Sequence, residues 1–294
     1  MYKKYIEQLV SAEYPESKDH TRMTDVVDLE AVMKKLFEKE KVREDKFLTV
    51  DDLTTLLEEE AGRDDVSRVR KGILGYPSHP LYRQLACMIT EWMELGHCPV
   101  LDLPSYDLLD EQAYVESRAS VINSISPLLE GLKTLHSLWS EDEVIFRLRE
   151  ILVLLEKRGL LDLLGIRKTV GTKDLWPPAR RKLLDSFTAK HSEKAQLTVG
   201  ARALAKHHHR DQSDSWWGNS KGSEQDKNDH ALTVVNRILD NATWINIHWL
   251  PQEVFVMEAR VLEGYGVRWT ADGSQFRGFL EPQMVGGHEV GWKH

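Results

Sequence analysis

The chain has 294 residues, 41% hydrophobic and 29% charged, with a formal net charge of −8. That composition fits a folded globular protein and not a disordered one, and the acidic balance argues against bulk nucleic-acid binding through a basic surface. Two cysteines, Cys87 and Cys98, exclude a disulfide framework and match no zinc spacing, so a reducing compartment, cytoplasmic or nuclear, is expected. No window approaches the length of a membrane span, and the N-terminus shows no apolar stretch of the kind that marks a secretory signal.

Residues 1–75 read as short helices. The first covers 2–12 and the second 25–41, where Val27, Leu29, Val32, Met33, Leu36 and Phe37 recur at helical spacing. Thr49 and Asp52 make a capping-box start for a third, through Leu57. The breaker cluster from Gly75 to Pro80 marks a boundary. A strongly apolar helix over 81–95 follows, with Gly96 as its stop. From 108 to 165 the pattern predicts two or three long helices, broken at Ser126-Pro127 and again at 140–142. A loop over 169–178 ends in Pro177-Pro178, which start a further helical stretch running, continuous or interrupted, to His209. The chain therefore divides into an N-terminal helical segment (1–75), a helical body (76–195) and a C-terminal module (196–294). The expected fold class is α+β, predominantly α-helical, with a small antiparallel hairpin or sheet at the C-terminal end.

Composition shifts after residue 200, where six of nine tryptophans and seven of twelve histidines lie. Aromatic and imidazole groups gathered near a hairpin suit a ligand pocket; they suit the core of a small module equally. Trp216 and Trp217 stand in a polar loop ahead of Lys221. They are an anchor folded onto the core or a contact surface, and with Trp249 they are candidate ligand-binding residues. His207, Asp211 and His248 are candidate metal ligands. His208, His230 and His288, with Glu281, are candidate acid–base groups. No nucleophile elbow, phosphate loop, dinucleotide fingerprint or His-Glu-x-x-His motif is present, so nothing selects a cofactor and the sequence leaves open whether the chain is an enzyme.

The strongest local demand comes from residues 264–279. Asp272-Gly273 signals a tight two-residue turn. That register would set Thr270 opposite Gln275, Trp269 opposite Phe276 and Arg268 opposite Arg277. Two facing arginines repel. They are tolerable when Glu258 or Glu263 neutralises them or when they clamp an anion. Gly264-Tyr265-Gly266, Trp269, Asp272-Gly273-Ser274 and Phe276-Arg277-Gly278-Phe279 resemble one unit of a MORN repeat. The resemblance implies a hairpin, and with no second copy it assigns no family. Upstream, Phe255, Met257, Ala259 and Val261 alternate with Glu258 and Arg260, as in a strand. The function expected from these features is binding of an anionic small molecule or an acidic peptide, through Arg268 and Arg277. The alternatives are a hydrolytic, metal-dependent enzyme using the C-terminal histidines, and a helical scaffold for a protein partner.

Overall fold

The computed structural model describes residues 27–59, 69–106, 110–190, 192–208, 216–218, 221–250 and 254–282. The helix expected over 2–12 lies outside them. Among the described residues eight α-helices precede or flank one sheet: α1 (Leu29–Glu40), α2 (Val50–Leu57), α3 (Leu81–Leu95), α4 (Glu111–Leu135), α5 (Glu141–Leu163), α6 (Arg180–Thr188), α7 (Val199–His208) and α8 (Glu224–Asp240). The strands are β1 (Trp244–Leu250), β2 (Val254–Arg260), β3 (Gly266–Thr270) and β4 (Phe276–Leu280), antiparallel in the order β1-β2-β3-β4. The fold class is thus α+β and mostly helical, with the sheet at the C-terminal end.

Local chemistry accounts for the helix ends. The Thr49 side chain accepts from the Asp52 backbone while Asp52 accepts from the Thr49 N–H, closing the capping box. Ser223 and Asp226 repeat the device at α8. Gly96 ends α3 in the left-handed conformation, with φ of 74°. The expected break at Ser126-Pro127 does not occur. Pro127 sits inside α4, so tertiary packing overrides the local cost of a lost backbone bond. The second expected break is real, and Ser140 caps α5 there. The helical stretch expected through His209 is two helices, separated by residues 189–198.

In the helical body α1 packs on α3 and α5, and α4 packs on α5. The fully buried Phe37, Leu85, Trp92, Leu148 and Leu152 belong to one apolar cluster, which continues without interruption into Phe187, Val235, Ile247 and Trp269. Each such side chain stabilises by about 1.5–3 kcal/mol relative to exposure. One face of the sheet carries Ile245, Ile247, Met257, Ala259, Val267, Trp269 and Phe279, and α6, α7 and α8 cover it. Alternation puts Trp244, Asn246, His248, Glu258, Arg260, Arg268 and Gly278 on the other face.

Candidate functional site

The hairpin differs from its expected geometry at one point. Trp269 does face Phe276, and Thr270 accepts from and donates across the loop at Gln275. The connection, however, is a five-residue loop over 271–275 in which Asp272 Oδ1 accepts from Thr270, Ser274 Oγ and the Ser274 N–H. A register shift then sets Arg268 opposite Gly278, not Arg277. Gly278, at φ of 141°, carries the irregularity. Arg277 is exposed. It does not stand opposite Arg268, so the expected facing pair of arginines is corrected.

What Arg268 meets instead is Glu258, directly across on β2. Arg268 Nε and Nη2 donate to Glu258 Oε2 at 3.0 and 2.7 Å, and Arg260 Nε donates to Oε1 at 2.6 Å. His248 Nε2, on β1, lies 3.5 Å from Glu258 Oε2, at ion-pair distance but outside hydrogen-bond geometry. The Glu258 side chain is only 4% exposed. Burial pushes its pKa up, but His248 and the two arginines outweigh burial and hold the carboxyl far below the usual range. Two cations against one anion leave the face locally positive.

Glycines on β3 and β4 make this packing possible. A Cβ at Gly266 would lie 2.6 Å from the Ala259 carbonyl and 2.7 Å from Arg260 Cγ. With no side chain there, the Arg260 stem crosses β3 and its Nη1 reaches the Gly264 and Glu281 carbonyls at 2.6 and 3.0 Å. Beside Arg268, a Cβ at Gly278 would meet nothing within 4 Å. Among the described residues the face is therefore open over β4.

On the β1 side the same face is covered. Residues 166–173, between α5 and α6, run along the β1 edge. Arg167 N donates to Ile245 O, Lys173 N to Ile247 O, and Trp249 N to Gly171 O. The Thr172 hydroxyl donates to Asn246 Oδ1 at 3.0 Å, and Asn246 Nδ2 donates to Thr169 Oγ1 at 2.8 Å.

The other expected site residues fall elsewhere. His207 Nδ1 and the Trp217 indole both contact Glu281 Oε1, at 2.8 and 2.9 Å, and His230 Nε2 meets the Trp217 carbonyl at 2.8 Å. Trp217 is buried among His207, Tyr265 and Phe279 rings. Trp216 stacks on Tyr265 at 4.2 Å beneath the Arg237 guanidinium. This constellation is a clasp that anchors the tryptophan pair to the core-side face, with Glu281 as its acceptor. His207 and His248 lie on opposite faces of the sheet and do not converge. Asp211 and His288 lie outside the described residues, as does the side chain of His208. Among the described residues no three His, Cys, Asp or Glu side chains are grouped to hold a metal ion. Lys221 is exposed. Trp249 is half-exposed at the end of β1, near Phe255 and Lys173. Asn246, Thr169, Thr172 and Trp244 carried no motif. The signal that would have found the first and last is the alternation Trp244-x-Asn246-x-His248 opposite Glu258-x-Arg260.

Residues 186–281, which hold this sheet and α7 and α8, match the family described as the CdiA C-terminal tRNase toxin domain. No curated protein matches the chain. Among solved structures, the chain is similar to the toxic C-terminal tip of CdiA from Pseudomonas aeruginosa in complex with immune protein, at 29% identity and a TM-score of 0.29, over 33% of this chain and 99% of that one. The family match overturns the expected role of the module as a receptor for a small anion or acidic peptide, because the matched family is described by RNA cleavage and toxicity. It also runs against the expected partners, an anionic small molecule or a protein without bulk nucleic-acid binding. The whole-chain charge misled that inference. Residues 186–281 hold eleven Lys and Arg against twelve Asp and Glu, so the acidic surplus lies in the rest of the chain.

Proposed function

We propose that residues 186–281 form a ribonuclease module that cuts tRNA and makes the chain toxic to a cell in which it acts. The observation that carries the proposal is the His248–Glu258–Arg260–Arg268 cluster, which lies on the open-sided face of the sheet within the family-matched stretch. RNA cleaves itself when the 2′ oxygen attacks the adjacent phosphorus and the 5′ oxygen leaves. One proton must leave the 2′ hydroxyl and one must reach the 5′ oxygen, and negative charge builds on the phosphoryl oxygens between. His248 is the imidazole of this face among the described residues and carries one of those proton transfers. Arg268, beside the open space over Gly278, is the cation that meets the phosphate. Glu258 is held ionised by its partners, which makes it a positioning residue for both arginines and a poor general base.

The test is incubation of the purified chain, in excess over tRNA, followed by analysis of fragment ends. Fragments ending in a 2′,3′-cyclic phosphate are expected, and His248→Ala should slow their formation by about 10²-fold or more. Absence of cleavage by the native chain, or equal cleavage by His248→Ala, would sink the proposal.

A further inference from the structure

The site is shut on one side by a part of the chain that the matched family does not include. Residues 166–173 precede the matched stretch, which begins at 186, yet they pair along the β1 edge through three backbone hydrogen bonds. Thr172 is bridged to His248 itself. Thr169 and Thr172 reach over the face and occupy both ends of the Asn246 amide. On either side of Asn246, the Trp244 Nε1 and His248 Nε2 atoms are buried with no hydrogen-bond partner among the described residues. Buried against Glu258 Oε2 at 3.5 Å, His248 Nε2 cannot exchange a proton with an RNA oxygen in this arrangement. An unpaired strand edge elsewhere attracts any strand that fits it; here the body's own segment fills it.

We infer that the helical body is a built-in brake on the module: residues 166–173 roof the β1 side of the site, and RNA reaches His248 when that segment lifts from the β1 edge. The inference rests on the ribonuclease reading and adds its regulation. Against the sheet module the segment makes three backbone bonds, two bonds from Thr169 and Thr172 and one from Arg167 Nη2 to Thr243 O, few enough to open locally while the helices stay folded. Lifting it opens the β1 edge beside His248 and Asn246 and joins that side of the face to the open region over Gly278 and Arg268. The native chain is then a slow enzyme whose rate is set by the fraction of molecules with the segment raised.

The test uses the full chain. Thr169→Val combined with Thr172→Val removes both side-chain tethers, and hydrogen exchange at the Arg167, Lys173 and Trp249 amides reports whether the segment has loosened. Faster exchange together with tRNA cleavage raised about fivefold or more is expected, since two lost hydrogen bonds shift the open population by at least that factor. Adding His248→Ala should abolish the gain. A second variant, Ile166→Cys with Ile245→Cys, places a thiol on each side of the bridged pair. Oxidised, it should stop cleavage; reduced, it should restore it. Faster exchange with unchanged or slower cleavage overturns the brake, as does full activity of the oxidised pair. If native and loosened chains both fail to cut tRNA, the ribonuclease reading itself falls. If they cut it equally and His248→Ala does not, only the brake falls.

Discussion

Glu258 is the residue on which the site's geometry turns. It sits between two guanidiniums and an imidazole, and each of those groups is mostly withdrawn from water. Glu258→Gln leaves Arg260 and Arg268 without their counter-charge in a buried setting. Breaking such a network costs about 3 kcal/mol, which urea denaturation at neutral pH should show. The acid limb separates the variants further. The folded carboxyl titrates far below its ordinary value of 4.5, so its stabilisation is fully present above that value. It is lost as pH falls through the folded value. Native stability should therefore fall between pH 4.5 and 2 more steeply than that of Glu258→Gln. If the two curves run parallel, Glu258 is not the charged keystone described. At this scale the sequence was partly readable. Glu258 could be named as the neutraliser of Arg268, because the strand alternation and the hairpin put them on one face. The partner of Arg268 across β4 could not, since one skipped residue in a strand pairing changes every contact after it. The glycine at 278 was the visible warning.

At the scale of elements, the strands depend on what is missing from β3 as much as on what is present. Gly266→Ala puts a methyl against the Ala259 carbonyl, which is backbone and cannot swing aside, and against the Arg260 stem. We expect a loss of about 1–3 kcal/mol, and cleavage reduced with it, because Arg260 must move away from Glu258. A variant as stable and as active as the native chain would contradict this. Element identity was largely legible: the capping boxes, the glycine stop after α3, and the alternation of β2 are local chemistry that survives folding. Pro127 inside α4 was not, because the burial of Ile125, Leu129 and Leu132 around it is a tertiary fact.

Across the whole molecule, the apolar core runs from α1 to β4 without a seam. Gly75 and Tyr76 N–H groups donate to the Ala242 and Leu239 carbonyls, and Arg180 pairs with Asp240. Body and module should unfold together. Leu152→Ala, deep in the body and far from the sheet, should cost about 3 kcal/mol and lower the transition seen by tryptophan fluorescence and by far-UV circular dichroism equally. Two separated transitions would show that the halves are thermodynamically distinct. This coupling was invisible in the sequence, because it is made by backbone carbonyls and by the loop over 169–178, whose composition says only that it is a loop.

The indole of Trp269, on β3, donates to the carbonyl of Leu183, three residues before the family-matched stretch begins. The matched stretch thus starts partway through α6, after the group that one of its most deeply buried side chains requires. A polypeptide beginning at 186 would lack that acceptor and the leucine side chain beside it, stranding a donor inside the domain at a cost of about 1–3 kcal/mol. Excision or transplantation of the matched module should begin upstream of Pro178, whose carbonyl is itself held by Tyr76.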